Sequence, residues 1–354
     1  MMPADLKLIL SGASLLLLAT AAILPFAGES WLALLDNVHW TVSAAAAWAI
    51  AWLGALRGAA GQYVYRRWFC YGTGLYFAGQ CCWNLQELFY WNPFPAPADV
   101  FYLAMGPCFG VGLLKALRRQ VSPARLLAAK LDTVAMTLAL LGFILALYLP
   151  HAANADALEL AVLAAYPLGL LSAASLALLA IPFLSLELAW AGCLLPAALL
   201  VEGGVWMQWN LQALTGTNQG ASPLNWAFSV NGLLVGLGAY LWRADGDGNA
   251  CRRTYARVMR AIPVAAVLVS AATLALSLAG QPAHRAAVLV AAVSGVSVLL
   301  LSILRQSLLL AESEKLLEAA AHRGQSELGY PPPAQTGERR ECEGEPQRGM
   351  QQGE

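Results

Sequence analysis

Apolar residues along this chain form long unbroken blocks, not the alternation of a half-buried strand or the stripe of an amphipathic helix. Ten blocks stand out, at 6–26, 39–56, 68–90, 98–117, 132–149, 158–181, 184–211, 225–242, 261–278 and 286–304. About 20 apolar residues in a helix cross a hydrocarbon core of roughly 30 Å. Backbone N–H and C=O groups find no partner in lipid, so each block predicts a helix rather than an open strand. The expected fold class is all-α: a polytopic integral membrane protein with about ten transmembrane helices over 1–304. Beyond it, Ile303, Leu310 and Leu317 recur every seven residues and predict a short cytoplasmic signalling helix over 305–322. Gln306 and Ser313 occupy the other seam position, so a homodimer through this helix and a single stub helix both stay open. From Gly324 onward apolar residues nearly vanish among Gly, Pro, Glu and Gln, which predicts a disordered tail over 323–354.

The pattern is written twice. Residues 83–112 return 126 positions later as 209–238, with 10 of 30 positions identical without gaps. Trp83-Asn84-Leu85-Gln86 reappears as Trp209-Asn210-Leu211-Gln212, Pro97 as Pro223, and Gly106, Gly110 and Gly112 as Gly232, Gly236 and Gly238. The shift carries span three onto seven and four onto eight, so the unit is a block of four helices, 1–126 and 127–252, with a partial third block at 253–304. An even number of helices gives parallel repeats, unlike the inverted repeats of many transporters.

Basic residues set the orientation, because Lys and Arg flanking a span are retained in the cytoplasm. Arg57, Arg66 and Arg67 fall between spans two and three, Lys115 to Lys130 between four and five, and Arg243 to Arg260 between eight and nine. The alternate loops carry almost none, which places both termini in the cytoplasm. Charged residues are only 12% of the 354 and sum to zero, so nothing calls for a nucleic-acid partner. The bilayer is the first partner expected. Five of the seven cysteines lie within spans and suggest no disulfide framework.

Polar side chains at membrane depth are costly and face a bundle interior or a cavity. That rule selects Asn84, Gln86, Glu87, Glu202, Asn210 and Gln212. Trp83, Gln86, Glu87 and Tyr90 share one helical face near the outer end of span three. Together with Trp83, Trp209, Asp99 and Asn225 they form a candidate ligand-binding set. The alternative assigns the same residues to an aromatic belt, interhelical hydrogen bonds and a helix start at Pro97 and Asp99. The copies differ at Glu87, replaced by Ala213, and at Asp99, replaced by Asn225. No cofactor or metal is expected: His39, His151 and His284 have no ligand spacing, and 245–249 starts like a calcium loop but lacks its glycine and bidentate acid. No nucleophile, base and orienter set is legible, so no catalytic residue is named.

Pro95-Ala96-Pro97-Ala98-Asp99-Val100-Phe101-Tyr102-Leu103, followed by a Gly-rich helix and Leu117-Arg118-Arg119, resembles a segment in the membrane input regions of bacterial GGDEF-type diguanylate cyclases, EAL-type phosphodiesterases and sensor histidine kinases. Residues 313–323 resemble the lead-in helix before a GGDEF domain, but no GGDEF signature follows. The resemblance implies a sensor module that passes a signal through its last helix to a cytoplasmic signalling partner in cyclic-di-GMP or two-component signalling. It also implies a chain whose catalytic half is missing. A small-solute transporter and an inactive remnant are the alternatives.

Overall fold

A computed structural model describes residues 3–183, 189–217, 222–244, 252–279 and 285–327. Among the described residues every regular element is helical: α1 (Ala4–Ile23), α2 (Glu29–Arg57), α3 (Ala60–Leu88), α4 (Pro97–Leu117), α5 (Pro123–Tyr148), α6 (Ala157–Ala180), the four-residue α7 (Ala189–Gly192), α8 (Leu194–Thr215), α9 (Pro223–Leu241), α10 (Arg252–Ala279) and α11 (Arg285–Glu327). Local chemistry sets several starts. Pro97, Pro123 and Pro223 occupy first-turn positions where a missing N–H costs nothing. Ser122 and Ser222 accept from the backbone N–H of Arg125 and Asn225, and Asp156 with Glu159 forms a reciprocal box at the start of α6. Gly216 ends α8 at φ 66°, a left-handed conformation that suits glycine.

Seven of these helices are long and apolar enough to cross a membrane: α1, α4, α5, α6, α9, α10 and α11. The other three long ones, α2, α3 and α8, carry polar residues along their length. Those side chains turn inward, since Asp36, His39, Gln80, Glu202 and Asn210 are all at most 3% exposed. Leucines such as Leu8, Leu18, Leu268 and Leu300 are exposed instead, which is the arrangement expected where the surrounding medium is hydrocarbon.

Six helices close into a ring, each packed on the next, in the order α2, α3, α4, α6, α8, α9 and back to α2. Outside the ring α1 lies on α2, α5 lies on α6, and α10 lies on α5. Residues 310–327 form a separate compact unit, helical throughout, in which Leu310, Leu316 and Leu317 are exposed.

Glycines set how near the helices come. A Cβ on Gly106 of α4 would lie 2.5 Å from the backbone of Gly169 on α6, and one on Gly232 of α9 would lie 2.9 Å from Ser43 Oγ on α2. At Gly112 it would meet Phe69 on α3 at 2.7 Å, and at Gly238 it would meet Leu195 on α8 at 2.8 Å. Without a hydrophobic force between helices in lipid, such close backbone approach supplies the attraction.

Several boundaries differ from the sequence reading. Helix α3 begins at Ala60, not 68, and so includes Arg66 and Arg67. Arg66 is 4% exposed and donates to the carbonyls of Gly54 at 2.6 Å and Trp242 at 2.8 Å. A guanidinium that satisfies the ends of α2 and α9 can sit inside a helix rather than in a loop. Helix α3 stops at Leu88, so Tyr90 leaves the shared face: it has φ 52° and is 95% exposed. The predicted span at 184–211 is divided, with α8 opening only at Leu194. Helix α11 continues through Gly324 to Glu327. The 245–249 loop, His284 and the tail from 328 lie outside the described residues.

Replacing Gly106 with Val forces α4 from α6 against backbone atoms that cannot rotate away. It is expected to cost at least the roughly 1–3 kcal/mol of overpacking. In detergent, thermal unfolding of the Gly106→Val chain should fall by several degrees, while Gly204→Ala, with nothing within 4 Å, should change little.

Candidate functional site

The ring surrounds a half-open cavity of about 270 Å³, walled by side chains from all six helices and by Phe94. It lies in the half of the ring that holds the N-terminal parts of α2, α4, α6 and α9 and the C-terminal parts of α3 and α8. Block one supplies Trp40, Tyr76, Gln80, Trp83, Asp99 and Tyr102; block two supplies Leu163, Tyr166, Trp206, Trp209, Asn210, Ala213 and Phe228. Four pairs of these lining positions, 40 and 166, 80 and 206, 83 and 209, 102 and 228, are each separated by 126 residues.

The walls are continuous aromatic surface. Tyr76 contacts Tyr102 at 5.6 Å between ring centroids, Tyr102 contacts Trp206 at 5.7 Å, and Tyr166 stacks on Trp206 at 4.2 Å. Phe228 stands edge-on to Trp206 at 4.9 Å and to Trp209 at 5.8 Å, and Trp209 meets Trp40 at 5.9 Å. Such pairings add roughly 0.5–1.5 kcal/mol each beyond burial. They also hold the rings in place, since Tyr102, Tyr166, Trp206, Trp209 and Phe228 each contact at least two others.

Polar groups in the wall are tied to one another. Tyr102 donates to Gln80 Oε1 at 2.9 Å, Gln80 donates to Asn84 at 3.1 Å, and Asn84 donates to Thr41 Oγ1 at 2.7 Å, which links α4, α3 and α2. Asn210 donates to the Leu163 carbonyl at 2.8 Å. Asp99 is 6% exposed; one oxygen accepts from the Ala96 N–H at 2.6 Å, closing the start of α4, and the other accepts from the Tyr166 hydroxyl.

Of the residues singled out from sequence, Trp83, Asp99, Trp209 and Asn210 line the cavity. Asn84 sits behind it in the hydrogen-bonded chain. Gln86 turns to the connection between α3 and α4, where it donates to the Trp91 carbonyl at 3.5 Å and accepts from the Ala98 N–H at 3.3 Å. Glu87 accepts from Asn92 at 2.7 Å, and Gln212 is half-buried away from the lining. Glu202 is 1% exposed, accepts from Asn231 at 2.7 Å through one oxygen, and leaves its other oxygen without a partner. Sequence reasoning missed Trp40, Tyr76, Gln80, Tyr102, Tyr166, Trp206 and Phe228. Stepping one and two turns from Trp83 down the same face reaches Gln80 and Tyr76, and the 126-residue shift then reaches Trp206.

A second array was also missed. On the seam between α2 and α9, Asp36 Oδ1 lies 3.0 Å from His39 Nε2, and His39 Nδ1 lies 2.7 Å from Ser229 Oγ. The connectivity is that of a nucleophile, a base and an orienting acid, which the sequence did not reveal. Asn225 donates to the other Asp36 oxygen at 2.7 Å, its carbonyl accepts from Trp40 Nε1 at 2.9 Å, and Trp226 stacks on His39 at 4.4 Å. Asp36, His39 and Ser229 are each at most 3% exposed, so no substrate reaches the hydroxyl and the array works as a clamp between two helices. Among the described residues no cluster of three metal-ligating side chains occurs.

The clamp reading makes two expectations. Ser229→Ala leaves a buried imidazole nitrogen unpaired and should cost roughly 1–3 kcal/mol of stability. A fluorophosphonate probe should leave the wild-type chain unlabelled, and labelling that disappears in both Ser229→Ala and His39→Ala would establish a reactive serine instead. Set against known protein families, curated proteins and solved structures, the chain matches none of them.

Proposed function

We propose that the chain is a membrane-embedded signal-input module that binds a small ligand inside its helix ring and passes the resulting change in packing to α11. The observation that carries this reading is the cavity, whose walls are drawn from both blocks. A ligand there touches α3 and α4 on one side and α8 and α9 on the other, so it favours whichever spacing of the two halves fits it. A stimulus needs differential affinity of that kind to shift a conformational equilibrium.

In this reading all ten long helices span the bacterial inner membrane, because α2, α3 and α8 keep their polar side chains inside the ring. Both termini are cytoplasmic. The two four-helix blocks are parallel repeats: the packing of α2 on α9 mirrors that of α6 on α4, and the close glycine contacts fall at matching positions. The route outward runs from Tyr166 on α6, through α5, to α11. Ser294 donates to the Leu138 carbonyl at 2.7 Å, and Arg305 pairs with Asp132 at 3.0 Å with both side chains at most 8% exposed. A buried pair of this kind is weak evidence for stability but a good registry device. The segment 305–322 then addresses a cytoplasmic partner, and the resemblance noted above makes cyclic-di-GMP or two-component signalling the output class.

Fusing residues 1–322 to a diguanylate cyclase domain and measuring cyclic-di-GMP tests the proposal. Asp132→Ala removes the charge opposite a buried guanidinium, a loss of about 3–5 kcal/mol, and is expected to change basal output several-fold. Trp206→Leu should change the response to stimulus more than basal output. An output indifferent to both variants sinks the input-module reading, and saturable solute uptake in reconstituted vesicles that Trp206→Leu abolishes would replace it with transport.

A further inference from the structure

We infer that the cavity takes a small organic cation, an alkylated ammonium, an inference that rests on the ligand-binding reading of the ring. Nine of the fourteen residues that line the cavity are aromatic. Their faces carry the negative lobe of the ring quadrupole and attract a cation placed within about 6 Å of a centroid. Among the described residues no Lys, Arg or His stands in the lining, and Asp99 is the single charged group there.

Asp99 sharpens the choice. Its carboxylate accepts from a backbone N–H and a phenol, neither of which brings a positive charge, and among the described residues it makes no ion pair. A charge taken out of water and met only by dipoles favours a ligand that carries the counter-charge. An anion would meet this carboxylate and the ring faces together and be repelled by both. A metal ion is disfavoured because the lining offers one carboxylate rather than a shell of oxygen ligands.

The remaining polar groups narrow the class further. Gln80 accepts from Tyr102 and donates to Asn84, and Asn210 donates to Leu163, so the amides of the wall spend these bonds on the protein itself. A sugar, which needs many hydrogen-bond partners, fits such a wall poorly. An ammonium shielded by methyl or methylene groups needs few, and it can place its alkyl shell against Trp206 and Tyr166 while its charge faces Asp99. The volume of about 270 Å³ limits the ligand to a small one.

The probes are choline and 3,3-dimethylbutan-1-ol, its uncharged isostere, titrated against the full chain in detergent micelles. Trp40, Trp83, Trp206 and Trp209 line the cavity and report binding through intrinsic fluorescence, with thermal shift as the second readout. Choline is expected to bind saturably and at least tenfold more tightly than the alcohol. Asp99→Asn, which installs the residue found at position 225, should weaken choline about tenfold and leave the alcohol unchanged; Trp206→Phe, which keeps a ring but weakens its quadrupole, should weaken choline less. Equal affinity for the two probes, or a choline titration unaffected by Asp99→Asn, overturns the cation while leaving a ligand cavity in place. Absence of any saturable response to choline or to tetraethylammonium also overturns it. The cyclase fusion judges the input-module reading separately, since its cavity variants are scored on output and not on choline.

Discussion

Polar side chains carried into this bundle are met largely by partners on other helices, and much of the fold can be traced to that pairing. An amide or carboxylate buried on α2, α3 or α8 is costly unless another helix meets it. The partners lie far apart in sequence: Asp36 with Asn225, Asn84 with Thr41, Glu202 with Asn231, Arg66 with the carbonyl of Trp242. Each such bond names which helix lies beside which. With Tyr102 to Gln80, Tyr166 to Asp99 and Asn210 to Leu163 they tie every neighbouring pair of the ring, where apolar packing alone, indifferent to the exchange of one leucine face for another, would leave the order of helices undetermined.

Closeness and polarity work as one device here. A short side chain such as Ser43, which donates to the Ser229 carbonyl, can bridge two helices only if their backbones nearly touch, and Gly232 of α9 allows that. The contact of Gly232 with Ser43 lies on the same face as the hydrogen bonds that Ser229 makes to α2, so removing the small residue would also pull apart the polar clamp. The cavity is what remains where large aromatic rings replace these small residues further along the same helices.

Much of the architecture was legible because composition in a membrane is a blunt and reliable signal. Each of the ten apolar blocks overlaps a long helix, and seven of these helices are long and apolar enough to cross a membrane. Extents were less legible: a helix can swallow Arg66 when two carbonyls from other elements receive its guanidinium, and nothing near Arg66 in sequence announces them. The site divides in the same way. Trp83, Asp99, Trp209 and Asn210 lie in or beside the repeated segment, where duplication draws attention to them. Trp40 and Tyr166, or Gln80 and Trp206, are also 126 residues apart but differ in residue type, so identity counts pass over them. His39 could not be assigned from sequence because Ser229 stands 190 residues away.

A ring of helices with no free edge has a mechanical consequence. An open layer can let one helix slide and absorb the movement at its border, but a closed circumference cannot. If a guest draws α3 and α4 toward α8 and α9, the perimeter shortens across the middle and the seams of α4 with α6 and of α2 with α9 must open or rotate to conserve it. Helices α1 and α5, which lie against α2 and α6 outside the ring, would then be displaced. A small deformation at the centre is thereby turned into motion at the rim, as the hoop of a barrel converts inward pressure at one stave into outward travel at another.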